Sequence, residues 1–306
     1  MSGVEDLYFF LKLSRENLSK DTVKYCQEHG LLASHYNCPT CGKSMKLRDN
    51  TELSDGVQWH CTGKGSDYAH RVSRSVRTGT WFSTSKLTMS KLLLLTYCWF
   101  TKVPQQNAKE CAQVEKNTVL QWYLYCREAC GVIVEAFKGK LGGTGHTVEI
   151  DEFKFGKMKY HKGKLVEGRW VLAAVDRETR ECLLLPVHDR SKDVLLQIIK
   201  DRIVPGTTIY SDCWKSYNTL NDEEFKQLAL DHSITFKNPE TRAHTNRIKG
   251  VWAHAKRSIT TTNMEKGAMF DSYLSAFMYR QWRGPNHTFH SFLQDIAKVY
   301  KPNVSD

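Results

Sequence analysis

Four glycines fall within eight residues, GKLGGTGH at 139–146, and the hydrophobic periodicity differs on their two sides. Glycine gives up the most conformational freedom on folding, so such a run reads as a linker between structured segments. Before it, residues 85–138 carry almost no glycine and show the three-to-four spacing of amphipathic helices. Beyond it come four strand-like stretches, HTVEIDEFKFG (146–156), RWVLAAVD (169–176), ECLLLPV (181–187) and TTIYSD (207–212). A helix-like segment, Ser191–Ile203, separates the third from the fourth, and HTNRIKGVWAHAKRSI (244–259) begins another helix. Three strands joined by short turns, then helix, strand and helix, imply an α/β domain with a mixed sheet.

The remaining segments divide by composition. Residues 1–34 read as helical, with Leu7, Phe10, Leu11 and Leu13 in apolar positions and a stop at Gly30. Residues 35–82 are rich in Cys, Gly, His and Trp and contain short strand-like pieces such as Gly56–Cys61. Residues 83–138 are the helical segment, 145–283 the sheet domain and 284–306 a C-terminal tail. The longest apolar run, Leu92–Leu95 continuing through Tyr97–Phe100, is too short to cross a bilayer. The start MSGVEDLYFF places acids ahead of its apolar residues, which argues against a secretory signal.

Ten cysteines invite a disulfide reading, but their spacing argues otherwise. Cys38 and Cys41 form a CxxC inside CPTCG, while Cys98, Cys126, Cys130, Cys182 and Cys213 stand singly. That pattern suggests one metal site plus reduced thiols in a reducing compartment. A CxxC turn presents two thiolates to one ion, and a tetrahedral Zn²⁺ then needs two further donors from a second hairpin. Cys61 is the third candidate and His70 the fourth, since His60 is adjacent to Cys61 and badly placed to share its metal. The bland alternative is a pair of free thiols and a surface histidine. A segment this small has little core, so zinc would supply much of its folding free energy.

In VPQQNAKECAQVEKNTVLQWYLYCREAC (103–130), Pro104 opens a helix with Ala108, Cys111 and Ala112 facing inward. Asn117 is placed to cap a second helix buried along Val119, Leu120, Tyr123, Leu124 and the Arg127 stem. Two short helices around a tight turn suggest a helix-turn-helix, with Lys116, Thr118 and Gln121 as DNA readers. A helical hairpin that merely packs is the alternative, because the turn lacks the usual glycine.

Asp151 lies near the end of a strongly apolar strand and Asp212 ends a later one. Open α/β sheets place their active sites at such strand ends. Two carboxylates meeting there can hold divalent cations for phosphoryl transfer. EIDEFKFG, WVLAAVDRETRE, YSDCWKSYNTL and HSITFKNPETRAHTNRIKGVWAHAKRS together resemble the catalytic core of Merlin-type DDE transposases and their bacterial insertion-sequence relatives. CPTCG with the later WHC, RSVRTGTWFSTSKL and the helix-turn-helix-like segment follow the same order, so the resemblance spans roughly residues 30–283. It implies an RNase H-like mixed-sheet core preceded by a zinc-ribbon-like segment and a helix-turn-helix-like segment. It also implies that Asp151 and Asp212 share Mg²⁺ or Mn²⁺, activating water for strand nicking and a 3′-hydroxyl for joining.

One position departs from the family pattern. The third acid, in a motif like HTNxIEGxW, falls on Lys249 here. A protonated lysine cannot ligate a hard cation and repels it. Asn246, one helical turn earlier, offers a carbonyl oxygen in its place, as some bacterial relatives use. The expected function is therefore a transposase-derived DNA-binding protein whose strand-transfer chemistry is lost through Lys249. The alternative is an active transposase using Asp151, Asp212 and Asn246, so enzymatic status turns on this position.

Forty-four Lys and Arg against 33 Asp and Glu give a net charge of +11, which suits a polyanionic partner. Lys154, Lys157, Lys159, Lys162, Lys164 and Arg169 crowd the hairpin after the first core strand. Arg242, Arg247, Lys249, Lys256 and Arg257 load the later helix, with no acid between Thr241 and Thr262. Two basic clusters flanking an acidic site suggest a channel for double-stranded DNA, most simply the terminal repeats of a transposon. A homo-oligomer is compatible with that role. The compartment would be nuclear in a eukaryote and the cytoplasm or nucleoid in a bacterium.

Overall fold

A computed structural model of the protein describes residues 3–16, 18–63, 69–137, 139–155, 168–212, 225–230, 245–259 and 267–305. Two compact units result, Met1–Ala129 with Asn286–Asp306, and Cys130–Pro285. No helix among the described residues is long and apolar enough to cross a membrane.

In the first unit the N-terminal helical segment is a pair, α1 (Gly3–Arg15) and α2 (Ser19–Glu28), closed by Gly30 at a φ of 71°. Left-handed backbone suits glycine, which carries no Cβ to clash there. Strands β1 (Lys46–Asp49), β2 (Val57–Gly63) and β3 (His70–Ser75) then form an antiparallel sheet in that order. Arg77, two residues past β3, is buried and donates from Nε to Asp55 Oδ2 at 2.6 Å. Its other donors reach the carbonyls of Ser85 and Leu87, tying the sheet to the chain that enters α3 (Met89–Phe100). A buried charge this well hydrogen-bonded is tolerated where an unpaired one would not be.

Helix α3 buries Leu92–Leu95 entirely, and α4 (Gln105–Ala112) and α5 (Lys116–Phe137) follow. Pro104 stands at the N-cap of α4, as its fixed φ favours, and Ala108 and Ala112 face inward. Asn117 is not the cap of α5. The helix begins one residue earlier, and the Glu115 carbonyl accepts from Thr118 and Val119. The buried stripe is also displaced: Val119, Trp122, Tyr123 and Cys126 point inward, while Leu120 and Leu124 are half-buried. Trp122 explains the shift, because its Nε1 donates to Thr96 on α3 at 2.9 Å and fixes the helix rotation. Residues 284–306 carry more than a tail. They include a helix, Phe289–Val299, capped reciprocally by Thr288 and Ser291, whose Phe289 and Phe292 pack on Tyr97 and Trp99.

The second unit is built on a sheet of β4 (Thr147–Phe155), β5 (Arg169–Asp176), β6 (Cys182–Val187), β7 (Thr208–Asp212) and β8 (Lys226–Leu230). Their spatial order is β6-β5-β4-β7-β8, with β4, β7 and β8 parallel and β5 antiparallel to both its neighbours. Helix α6 (Lys192–Arg202) links β6 to β7, and α7 (Asn246–Ser258) and α8 (Gly267–Arg283) follow β8. Side chains alternate across a strand, so β4 has two distinct faces. Val148 and Ile150 join Leu172, Leu195, Ile199 and Ile209 in the core on the α6 side. Phe153 and Phe155, on the other face, meet Trp252 of α7 and Phe270 of α8 at 5.2 and 5.0 Å.

The glycine-rich stretch is not a free linker. Leu141 pairs with Ile203 in a short parallel bridge, and Gly143 N–H donates to Thr207 Oγ1 at 2.8 Å. Gly142 sits at a φ of 86°, where a Cβ would collide with Thr207. Its glycines serve close approach to a neighbouring turn as well as chain reversal.

Candidate functional site

The CxxC turn is shaped by backbone bonds, with Gly42 N–H donating to the Cys38 carbonyl and Cys38 N–H to Lys43, each at 2.8 Å. Gly42 has a φ of 69°, which lets the loop close around the sulfurs. Cys61 on β2 and His70 at the start of β3 complete the group. Cys41 Sγ lies 3.7 Å from Cys61 Sγ, and His70 Nε2 lies 3.5 and 3.4 Å from the sulfurs of Cys38 and Cys61. All four donor atoms fall within 4.8 Å of one another. Zinc bonds of about 2.3 Å to sulfur and about 2.0–2.1 Å to nitrogen give tetrahedral edges of about 3.6–3.8 Å. The donor set therefore fits a tetrahedral ion, and it is too open for a disulfide.

Electrostatics within the cluster agree with that use. Burial pushes the Cys38 thiol up, but the N–H groups of Cys41 and Thr40 and the neighbouring thiols outweigh it, leaving a pKa of about 6. Burial, then Cys38 and Cys41, raise Cys61 to about 11. Three thiols this close cannot all ionise unless a cation neutralises them. His60 takes no part in the group, because adjacent strand residues face opposite sides of the sheet.

The candidate acidic site begins with Asp151, which is 9% exposed and is the middle residue of β4 rather than near its end, because the strand runs on to Phe155. Parallel pairing matches Thr147 with Thr208, Val148 with Ile209 and Glu149 with Tyr210. Continuing that register brings Asp151 level with Asp212, the last residue of β7. The side chain of Asp212 lies outside the described residues. Asn246 is the exposed first residue of α7, and Lys249 is half-buried one turn later.

Glu149, which sequence reasoning passed over, explains why α7 starts where it does. It shares a face of β4 with Asp151 and is fully buried. Its Oε2 accepts from Ile248 N–H at 2.9 Å and its Oε1 from Arg177 Nε at 2.7 Å. A carboxylate at a helix N-terminus satisfies orphan donors and complements the helix dipole. Arg177 in turn stacks on Tyr210 of β7, and its carbonyl accepts from Arg247 at 2.6 Å. Glu149 meets Ile248 and Phe153 meets Trp252, so Asp151 lies between two contacts with the first turns of α7. The signal was present in VEID, where acids alternate with apolar residues on a strand whose other side chains on that face are Thr147, Phe153 and Phe155.

Of the expected DNA contacts, Lys116 and Gln121 are exposed and Thr118 is half-buried on the first turns of α5. Lys154 is exposed with its ammonium 5.7 Å from the Trp170 ring, Lys256 reaches over Phe153 at 5.1 Å, and Arg257 is exposed. Lys157, Lys159, Lys162 and Lys164 lie outside the described residues. Residues 140–281 match the profile of the ISXO2-like transposase domain. Over 110 residues the chain is 30% identical to an uncharacterized transposase-like protein of Haemophilus influenzae, a match covering 36% of this chain and 85% of that protein.

Proposed function

The chain belongs to the ISXO2-like family of insertion-sequence transposases, and on that premise we propose that it is a transposase-derived DNA-binding protein. The sheet domain is read as an RNase H-like core. Its strand order supports this: third, second, first, fourth and fifth in chain sequence, with the first and fourth parallel. The observation that carries the reading is the β4–β7 register, which sets Asp151 level with Asp212 beside the docked start of α7. Zinc would close the Cys38, Cys41, Cys61 and His70 group, a ribbon-like element upstream of an α4–α5 helix-turn-helix.

For the acidic site the fitting cofactor is Mg²⁺ or Mn²⁺ on hard oxygens. Such an ion, held by paired carboxylates, lowers the pKa of water and neutralises charge in an in-line displacement at phosphorus. Glu149 has one oxygen committed to Arg177 and the other to Ile248, and Glu152 faces Arg190 on the other side of β4, so Asp151 is the acid of this strand assigned to a cation. Lys249 adds a positive charge where a third acid belongs. The chain would then bind transposon-end DNA, alone or as a homo-oligomer, without cutting it. A second reading, a working transposase, is favoured by Asn246, which opens α7 two residues before the N–H that Glu149 holds.

The deciding experiment compares the native chain with Lys249→Glu for Mn²⁺ affinity and for nicking of DNA carrying the element's ends. The variant should bind Mn²⁺ more tightly and gain nicking, and Asp151→Ala in that background should abolish the gain. Mg²⁺-dependent cleavage by the native chain, lost on Asn246→Ala, would establish the second reading instead.

A further inference from the structure

The three-stranded sheet of the first unit has a second face that zinc does not use. Cross-strand register places Lys46 and Arg48 of β1, Gln58 and His60 of β2, and Arg71 and Ser73 of β3 on that face. None of the sheet's residues on it is acidic, because Asp49 lies on the opposite face and pairs with Lys20 at 2.7 Å. Every side chain of β1 is exposed, as are Arg71 and Ser73.

His60 is the exception. It is only 5% exposed, in the middle of this solvent-facing row, and its Nε2 has no hydrogen-bond partner among the described residues. Arg48 and Arg71 flank it on opposite sides along a diagonal across the three strands. Burying an imidazole nitrogen without a partner costs free energy that a packed core of the same size would avoid. The two guanidinium groups stand on either side of the imidazole, spaced so that each would take a separate phosphate of a strand laid across the face.

We infer that this face binds the phosphate backbone of duplex DNA, with Arg48, Arg71 and His60 as its centre. The inference rests on the DNA-binding reading above and extends it to a surface separate from α5 and from the sheet domain. Backbone contacts are the ones such a face can make. A flat sheet bearing guanidinium, ammonium, amide and hydroxyl donors matches phosphate oxygens, which fix position without reading sequence. An acidic protein partner is less well suited, since the face offers no aromatic or aliphatic residue to fill a partner's pocket.

The test is a salt titration of binding to a mixed-sequence duplex, comparing the full native chain with Arg48→Ser/Arg71→Ser. Zinc content serves as the check that the sheet is folded, because both positions lie on exposed strands. Each lost phosphate contact should lower the slope of log affinity against log salt by about 0.9, hence by about 2 for the pair. Affinity should fall alike for any duplex sequence. A variant with zinc intact and slope unchanged would overturn the inference and leave the DNA-binding reading standing, as expected if the face serves a protein instead. A native chain that binds no duplex at low salt would remove both. As a second probe, His60→Ala should weaken binding without altering zinc content, and unchanged affinity would strike the imidazole from the site.

Discussion

The four donor residues of the Cys3His cluster come from residues 38–70, on a turn and two neighbouring strands. The candidate acidic site draws on β4, β7 and the start of α7, which lie far apart in the chain. In the first case local turn geometry brings the donors together and a single ion could hold them. In the second, a parallel pairing formed across β5, β6 and α6 sets the level of the acids, and a buried carboxylate seats the helix. Short-range sites are written as spacing. Long-range ones depend on register and docking, and can be disturbed by residues that touch no ligand.

The largest effect expected from that difference is on metal removal. Structural zinc contributes about 10–16 kcal/mol of apparent binding free energy, so chelation or Cys38→Ser should unravel β1–β3. Limited proteolysis should then open residues 35–82 while the 147–230 sheet keeps its protection. Equal resistance with and without metal would reduce the cluster to ordinary thiols.

Next in size is the seat of α7. Glu149→Ala removes the acceptor of both Arg177 Nε and the Ile248 N–H, and breaking a buried pair in this way costs about 3–5 kcal/mol. Glu149→Gln keeps the shape and should cost about 1–3 kcal/mol. Urea unfolding of the sheet domain measures both, with the zinc signal as an internal control. Stability within error of native would mean that the helix is held by its apolar face alone.

A smaller, pH-dependent effect should appear at the β4 entrance. His146 Nδ1 lies 2.8 Å from Asp176 Oδ2, and this hydrogen bond and charge raise the imidazole above its usual 6.5. A folded pKa above the unfolded one gives stability that is complete below pH 6.5 and lost as pH climbs through the raised value. For Asp176, burial is outweighed by the Thr179 N–H, His146 and the Glu178 N–H, so its pKa falls below 3.8. That contribution is present above pH 3.8 and lost as pH falls through the lowered value. His146→Gln should flatten the decline on the alkaline side. Parallel profiles for the two proteins would exclude the pair as a source of pH dependence.

The smallest effect concerns the turn between α4 and α5. Gln113 adopts a φ of 50°, the left-handed conformation usually left to glycine. Gln113→Gly should be neutral or raise stability by up to about 1 kcal/mol, read from thermal unfolding. A clear loss would show that the glutamine side chain has a role the backbone does not reveal.

Much of this architecture was legible. Four of the five core strands and two of their helices fall within a residue or two of their expected bounds, because apolar runs bounded by turn residues leave few alternatives; β8 was not foreseen. The choice of His70 over His60 followed from the adjacency of His60 to Cys61, and strand alternation supplies the reason it holds. Asn117 failed as a cap because Trp122, bonding to Thr96 from another helix, set the rotation of α5. Glu149 was missed because an acid in a strand reads as solvent-facing until a helix N-terminus is found above it.

By itself, then, the sequence determined most of the core elements and the Cys3His quartet, since dihedral preference, side-chain alternation and ligand spacing act over a few residues. Tertiary structure alone decided the β4–β7 register that, continued two residues, brings Asp151 level with Asp212, and that α7 begins against Glu149. It also decided that His60 is buried in a basic face. Each of these depends on which segments pair across long loops, and that choice rests on the summed burial of the whole sheet, which no local pattern encodes.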